Sequence, residues 1–414
     1  MNHQCCLPAL SSHSLGRHYA GHDIKTKLQA AASHGFRGIE LVFEDIEAVA
    51  FRLPGGPTHS NLIAAAEEIR KLTESLSLTI IDLQAFSQYE GLISRTAHAM
   101  AIEKAKLWFR LAHVLGTNII LIPSNFLPAE ECTSDLTTIV QDMTELADLG
   151  AKQSPPITFM YENLCWGTHI DNWEGVHAVV SKVDRWNFGY CLDAFNIAGR
   201  VYGDPTSADG KTETGDADLA DSMRRMVASV DREKIFLIQV VDAERVSQPI
   251  TPEHPWYDPS QPPRMSWSRN ARLFPFEEER GGYLPIVDVC KALFEGLGFR
   301  GWVSFELFSR TLVETGPDVP EEHATRAEES WKKLVTVFPQ IVEEPSSERA
   351  PDPPIVPKTQ LPNGKGVPAL VEVREEWWKY VTGRLNFQIL LPIFSVVTKL
   401  HALFGKKNVL KLSP

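Results

Sequence analysis

Apolar residues in the chain fall into eight short runs, rich in β-branched and aromatic residues, separated by longer segments of helical periodicity. Most runs have consecutive apolar residues rather than an alternation with polar ones, which is typical of strands covered on both faces. The predicted strands are Leu7–Ser12, Gly38–Phe43, Leu78–Phe86, Asn118–Pro123, Ile157–Asn163, Asn187–Asp193, Lys234–Val241 and Gly301–Phe308.

Strand and helix patterns alternate strictly along these eight repeats. Such alternation predicts an α/β fold, with a parallel sheet closed into a (β/α)8 TIM barrel. A doubly wound open sheet is the main alternative. No G-x-G-x-x-G motif opens a helix, so the sequence does not support a dinucleotide site.

One departure from the alternation is the long segment between Asp242 and Gly282, after the seventh predicted strand, which is rich in Pro, aromatic and Arg residues. A structureless loop of that length inside a domain is usually functional. We expect it to lie over the carboxyl-terminal end of the barrel, where the active sites of TIM barrels form.

The C-terminal part of the chain also departs from the pattern. We predict a barrel over residues 1–340, a Pro-rich linker over 341–370 and a basic extension over 371–414. The uncharged stretch Leu385–Thr398 contains Pro392 and is too short to span a membrane, so no firm anchor is expected. The extension is either a basic amphipathic segment for a membrane surface or partner, a dispensable addition, or a helix packed on its own barrel.

The amino-acid composition disfavours some classes of function. The chain is 43% hydrophobic and 23% charged, as ordinary globular proteins are, and its net charge of -12 disfavours general binding to nucleic acid. Six sparse cysteines without a C-x-x-C pair indicate reduced thiols, and the N-terminal segment lacks the pattern of a secretory signal. These features predict a cytoplasmic protein.

Oxygen-bearing side chains end the last four predicted strands: Glu162, Asp193, Gln239 and Glu306. A lone buried carboxylate costs several kcal/mol unless it is paired, protonated or bound to a cation. Adjacent barrel strands bring these ends together, and three carboxylates so close could not all ionise without a cation. We therefore predict one divalent cation, Mg²⁺, Mn²⁺ or Co²⁺, because an all-oxygen site without Cys or His suits zinc poorly.

Several motifs resemble a known family across about 7–338. The motifs are SLGRHYAGHDIKTKL, LQAFSQYEGL, IPSNFLPAEE, CLDAFNIAGRVYGDP, QVVDAE, RMSWSRNARLF and GLGFRGWVSFELF. They resemble the fungal 3-dehydroshikimate dehydratases of quinate catabolism, which belong to the xylose isomerase-like barrel superfamily. The resemblance implies conversion of 3-dehydroshikimate to protocatechuate and water by a metal-dependent carbon–oxygen lyase, with metal ligands that match the four residues above.

The resemblance also implies roles in proton transfer. In related isomerases and epimerases a metal-bound Glu takes the proton, so Glu162 and Glu306 are the candidate bases. His18 and His22, in the loop after the first strand, are rival candidates, and either could protonate the leaving hydroxyl.

Other residues are candidates for binding a small-molecule substrate of this kind. A substrate carboxylate needs a cation, and the long loop offers Arg269 and Arg272, with Ser268 between them in the same motif. Gln84 and Tyr89 follow the third strand and are expected to bond the substrate hydroxyls. The sequence is also compatible with a homo-oligomer.

Three other functions remain open at this point. A sugar or keto-acid isomerase or epimerase would use the same metal site without elimination, but the Arg-rich loop and dehydratase-like motifs argue against it. A DNA-repair endonuclease of the same superfamily would need several metals, many His ligands and a basic face. A barrel without activity, acting through its tail, would not need the intact set of ligand candidates.

Overall fold

Eight parallel strands close into a barrel in the computed structural model, which describes residues 5–343. Each strand pairs with its neighbours in the sequence, and the last strand pairs in parallel with the first, with Leu7 opposite Trp302. This confirms the predicted (β/α)8 barrel. The strands are β1 (Leu7–Ser11), β2 (Gly38–Val42), β3 (Thr79–Gln84), β4 (Ile119–Pro123), β5 (Thr158–Glu162), β6 (Phe188–Asp193), β7 (Ile235–Gln239) and β8 (Trp302–Phe305).

Helices fill the connections between the strands. They are α1 (Ile24–Ser33), α2 (Phe43–Phe51), α3 (His59–Ser75), α4 (Arg95–Leu115), α5 (Leu136–Ala151), α6 (Trp173–Val183), α7 (Ala194–Val201), α8 (Gly215–Ser229), α9 (Pro263–Ala271), α10 (Ile286–Lys291) and α11 (Val319–Val337). Two helices, α2 and α7, begin directly at the end of a strand. The sequence pattern did not predict a helix at either position. At α7 the side chain of Asp193 accepts a hydrogen bond from Phe195 N at 2.8 Å, which caps the helix as the strand ends.

The barrel interior has an apolar layer and a polar one. Ala9, Leu121, Met160, Cys191 and Leu237 pack together in a buried apolar cluster inside the strands. Moving two residues along a strand returns to the same face, so the last residues of β5, β6 and β7 point inward above this layer. The polar side chains of Glu162, Asp193 and Gln239 therefore lie at the carboxyl-terminal end of the barrel interior.

The long segment after β7 contains two short strands and a helix. Residues Asp242–Ala243 pair in antiparallel fashion with Arg272–Leu273, and α9 lies between these two strands in the sequence. Pro263 occupies the first turn of α9, where its missing N–H is tolerated. Trp267 is fully buried and donates to the carbonyl of Glu244 at 3.0 Å, which anchors the helix.

Most of the predicted linker over 341–370 and all of the predicted extension over 371–414 lie outside the described residues. Within residues 5–343, no helix combines the length and apolar character needed to cross a membrane.

His323 on α11 gives a prediction about stability. Its Nδ1 lies 2.8 Å from the carbonyl of Ser14 and its Nε2 lies 3.0 Å from Thr311 Oγ1. Burial, aided by the charge of Arg326, lowers the pKa of His323 to about 4. His323 therefore becomes protonated at about pH 6.5 in the unfolded chain, but only at about pH 4 in the folded chain. The resulting stabilisation is complete above pH 6.5 and is lost as the pH falls towards 4, by about 1.4 kcal/mol per unit of pKa shift.

We therefore expect the free energy of unfolding of the wild type to fall more steeply between pH 6.5 and 4 than that of His323→Gln. Urea titrations at several pH values measure both slopes. His34→Gln is the control, because carboxylates of Glu321 and Glu328 raise the pKa of His34 against the effect of its burial. A His323→Gln variant with the wild-type slope would contradict the prediction.

Candidate active site

Three carboxylates meet at the carboxyl-terminal end of the barrel. Glu162 and Asp193 are the last residues of β5 and β6, and Glu306 directly follows β8. One carboxylate oxygen of each lies within 4.8 Å of the others, and all three side chains are buried. The strand-end pattern in the sequence predicted this convergence, because parallel strands of one barrel end at the same rim.

Gln239, the last residue of β7, stands beside Asp193 in the strand pairing. Its Nε2 donates to Glu40 Oε2 at 2.7 Å, whereas its Oε1 is buried without a hydrogen-bond partner among residues 5–343. A buried acceptor without a partner costs about 1–3 kcal/mol. A buried oxygen left free on the residue paired with Asp193 fits the coordination of a cation.

The charges of the cluster also favour a cation. Burial is the main cause that raises the pKa of Glu162 well above its usual value, and repulsion from Glu306 and Asp193 adds to it. Burial likewise raises the pKa of Glu306 to about 7 despite the opposing charge of Arg272. Protons or a bound cation must therefore neutralise part of this cluster, and the all-oxygen donor set suits a hard divalent ion.

Arg272 is the cation that contacts the cluster directly. Its Nη1 donates to Asp193 Oδ2 at 2.8 Å and lies 3.6 Å from Glu306 Oε2, while its Nε donates to Ser268 Oγ at 3.0 Å. The guanidinium carbon lies 4.2 Å from the ring centre of Phe195 and 5.0 Å from that of Phe308. The structure thus brings Arg272 and Ser268 to the site and holds the guanidinium in one orientation.

Two predicted substrate contacts lie elsewhere. Arg269 is exposed on α9, and its Nη1 donates to Gln261 Oε1 at 2.8 Å rather than to the cluster. Tyr89 is buried, with its hydroxyl donating to the backbone carbonyl of Asp142 on α5 at 2.7 Å. The loop after β3 directs the Tyr89 side chain onto α5, which the strand pattern in the sequence did not reveal.

The two predicted histidines also have other partners. His22 is buried and donates from Nε2 to the carbonyl of Glu314 at 2.7 Å, so its described hydrogen bond serves loop packing. His18 is half-buried, with Nδ1 3.0 Å from Glu44 Oε1. Neither contact reaches the carboxylate cluster.

One imidazole that was not a predicted site residue lies near Arg272. His13, after β1, packs its ring against Phe308 with 4.3 Å between ring centres, and Phe308 also contacts Arg272. Burial, together with the charge of Arg17, lowers the pKa of His13 well below its usual value. His13 is therefore a neutral side chain one aromatic ring away from Arg272.

Asn196, which had no predicted role in the site, also contacts the cluster. Its Nδ2 donates to Glu162 Oε1 at 2.8 Å and to Asp193 Oδ2 at 2.7 Å, and its Oδ1 accepts from the N–H of Cys165 at 3.0 Å. Asn196 thereby holds two carboxylates of the cluster close together. Its position one turn of α7 beyond Asp193 was the only signal in the sequence.

Two more acids lie inside the barrel, Glu40 on β2 and Asp82 on β3, both buried. Burial is the first cause that raises the pKa of each well above its usual value, and their mutual proximity adds to that of Glu40. Gln84, a predicted substrate contact, donates to Glu40 Oε2 at 3.2 Å and to Ser11 Oγ at 3.3 Å. The signal for both acids was present in the sequence, as single carboxylates inside apolar strand runs.

Comparisons with known proteins identify the family of this chain. The family model described as xylose isomerase-like TIM barrel matches residues 28–335. The chain is 51% identical over 333 residues to a curated 3-dehydroshikimate dehydratase of Neurospora crassa, a match that covers 79% of this chain and 93% of that protein.

Two solved structures share the fold. A xylose isomerase-like TIM barrel/4-hydroxyphenylpyruvate dioxygenase fusion protein superposes with a TM-score of 0.60 at 22% identity, over 81% of this chain and 43% of the fusion. This chain thus spans less than half of that protein. The IolI protein, solved with a bound zinc atom, superposes with a TM-score of 0.58 at 16% identity, over 81% of this chain and 99% of IolI.

Proposed function

This chain belongs to the xylose isomerase-like TIM barrel family, and we propose that within it the protein is a 3-dehydroshikimate dehydratase. The enzyme is a carbon–oxygen lyase that converts 3-dehydroshikimate to protocatechuate and water. The observation that carries the proposal is 51% identity spread over 93% of the Neurospora enzyme. The carboxylate cluster at the barrel end is the part of the molecule that can perform this chemistry.

Glu162, Asp193, Gln239 and Glu306 would hold one divalent cation. The free, buried Oε1 of Gln239 and the three converging carboxylates support this ligand set. Oxygen donors alone favour Mg²⁺, Mn²⁺ or Co²⁺ over zinc. When bound, the cation acts as a Lewis acid that stabilises negative charge developing on the ketone oxygen of the substrate.

Water is eliminated by removing a proton next to the ketone and expelling the β-hydroxyl, and the gain of aromatic character drives the reaction. We assign the proton removal to Glu306, which directly follows β8, whereas its rival Glu162 is itself the last residue of its strand. In addition, Glu162 Oε1 already accepts a hydrogen bond from Asn196, which weakens that oxygen as a base.

Arg272 is the residue that we propose for the substrate carboxylate. Its guanidinium is held by Asp193 and Ser268 and flanked by aromatic rings, so little entropy is lost when a carboxylate binds. Gln84 remains the candidate for a substrate hydroxyl, because its amide is fixed beside the cluster. The contacts of Arg269, Tyr89, His18 and His22 do not support the roles that the sequence suggested for them.

Mixing the purified full-length protein with Mn²⁺ and 3-dehydroshikimate is expected to produce the ultraviolet absorbance of protocatechuate. Treatment with a chelator should abolish the signal, and Mn²⁺ should restore it, because the buried carboxylates require a cation to organise the site. Metal analysis should find one ion per chain. Protein carrying its metal that leaves 3-dehydroshikimate unchanged would contradict the proposal and favour an isomerase or epimerase.

A further inference from the structure

Glu40 stands out because it is a fully buried carboxyl that neither ligates nor reacts in the proposed mechanism. It lies on β2, inside the barrel, with 0% of its surface exposed. An apolar side chain would be far cheaper to bury at such a position. Because burying a carboxyl here destabilises the fold, its presence suggests a role at the adjacent carboxylate cluster.

Glu40 accepts hydrogen bonds from two glutamine side chains, Gln239 on β7 across the barrel and Gln84 on the neighbouring β3. Its Oε2 accepts from Gln239 Nε2 at 2.7 Å, a contact between residues 199 positions apart, and from Gln84 Nε2 at 3.2 Å. Its other oxygen has no hydrogen-bond partner among residues 5–343. One carboxylate oxygen of Glu40 thus accepts hydrogen bonds from both amides.

A glutamine amide has nearly the same shape in its two flipped orientations, so packing alone distinguishes them poorly. Chemically they differ completely, because the oxygen accepts or ligates whereas the nitrogen only donates. With Nε2 directed at Glu40, the Oε1 of Gln239 is left buried and free. In the flipped orientation the amide oxygen would face the oxygens of Glu40, and N–H groups would face the cation.

We infer that Glu40 is a positioning residue, which fixes the Gln239 amide with its oxygen toward the cation site. The inference rests on the proposed metal site. Residues that orient metal ligands in this way typically contribute 10- to 100-fold to metal affinity. Glu40 acts on the cation through Gln239 and does not touch the reacting atoms.

The test is the dissociation constant of Mn²⁺, measured without substrate by following the electron paramagnetic resonance signal of free Mn²⁺. The variant E40Q is nearly isosteric but can donate as well as accept, so it no longer selects one orientation of Gln239. We expect E40Q to raise the dissociation constant by about 10- to 100-fold. The unfolding temperature of each metal-free variant reports whether the fold is intact.

Two further variants separate the orientation of Gln239 from the loss of a buried carboxyl. E40M keeps the length of the side chain but cannot accept a hydrogen bond from Gln239, and we expect it to raise the dissociation constant at least as much as E40Q does. The matched control E90Q changes another buried glutamate, which accepts hydrogen bonds from Asn125 N and Tyr161 Oη, and it should stay within about threefold of the wild type.

The inference is overturned if E40Q binds Mn²⁺ as tightly as the wild type, or if E90Q weakens binding as much as E40Q does. Wild-type affinity of E40M for Mn²⁺ would overturn it as well, even if E40Q alone did not fold. If the wild type bound no Mn²⁺, the result would instead contradict the metal site of the proposed function. Because no substrate is present, the outcome does not depend on whether 3-dehydroshikimate is turned over.

Discussion

Glu306→Gln is expected to lower the rate of protocatechuate formation by about 10²–10⁴-fold at saturating Mn²⁺, the range that a general base contributes. The substitution keeps the size of the side chain and one oxygen that can ligate, but the amide cannot take the substrate proton. Rates measured over a titration of Mn²⁺ distinguish a lost base from a lost ligand. A base defect persists at every metal concentration.

Glu162→Gln is the matched control, since Glu162 belongs to the same carboxylate cluster and differs by its hydrogen bond to Asn196. We expect this variant to bind Mn²⁺ more weakly and to regain much of its activity when more metal is added. If Mn²⁺ rescued Glu306→Gln and not Glu162→Gln, the base would be Glu162. The assignment within the cluster would then be reversed, while the metal site itself would stand.

Arg272→Lys is expected to lower kcat/KM by roughly 10- to 150-fold, corresponding to the loss of about 1.5–3 kcal/mol for a hydrogen bond to a charged group. Lysine keeps the positive charge, but its single ammonium group cannot reach Ser268 and Asp193 and still present a planar fork to a carboxylate. Steady-state kinetics with 3-dehydroshikimate measure the loss.

The control for this prediction lies on the same segment. Arg269→Lys changes an exposed arginine of α9 whose described hydrogen bond goes to Gln261, and we expect less than about a tenfold effect, as for an exposed charge. The comparison holds the chemistry of the substitution constant and varies only the position. A large loss in Arg269→Lys together with a small one in Arg272→Lys would place the substrate carboxylate at Arg269.

The positions of the strands and of their last residues were the features that the sequence predicted best. Eight apolar runs in alternation with helical segments predicted the closed barrel, and the fold confirms it. The oxygen side chains at the ends of the last strands predicted that Glu162, Asp193 and Glu306 would meet, as they do. Both predictions rest on local rules, because strand period and strand length alone determine which residues reach the carboxyl-terminal rim.

Loops were harder to interpret from the sequence. His22 and Tyr89 looked like site residues because they follow barrel strands, yet one donates to the Glu314 carbonyl and the other to that of Asp142. Conversely, His13 packs on Phe308 beside Arg272, and nothing in its sequence neighbourhood distinguished it from His22. The direction of a loop side chain depends on packing against distant elements, which sequence spacing does not encode.

The sequence by itself determined the barrel and the oxygen-bearing side chains at its strand ends, because the pattern that buries a strand also places its last residue. Only the tertiary structure decided which amides, positively charged groups and extra carboxylates surround those side chains. Glu40 meets Gln239 across 199 residues, and Arg272 meets Asp193 across 79. Such contacts arise from closing the barrel and folding the long loop back over it, and they depend on three-dimensional register rather than on any local pattern.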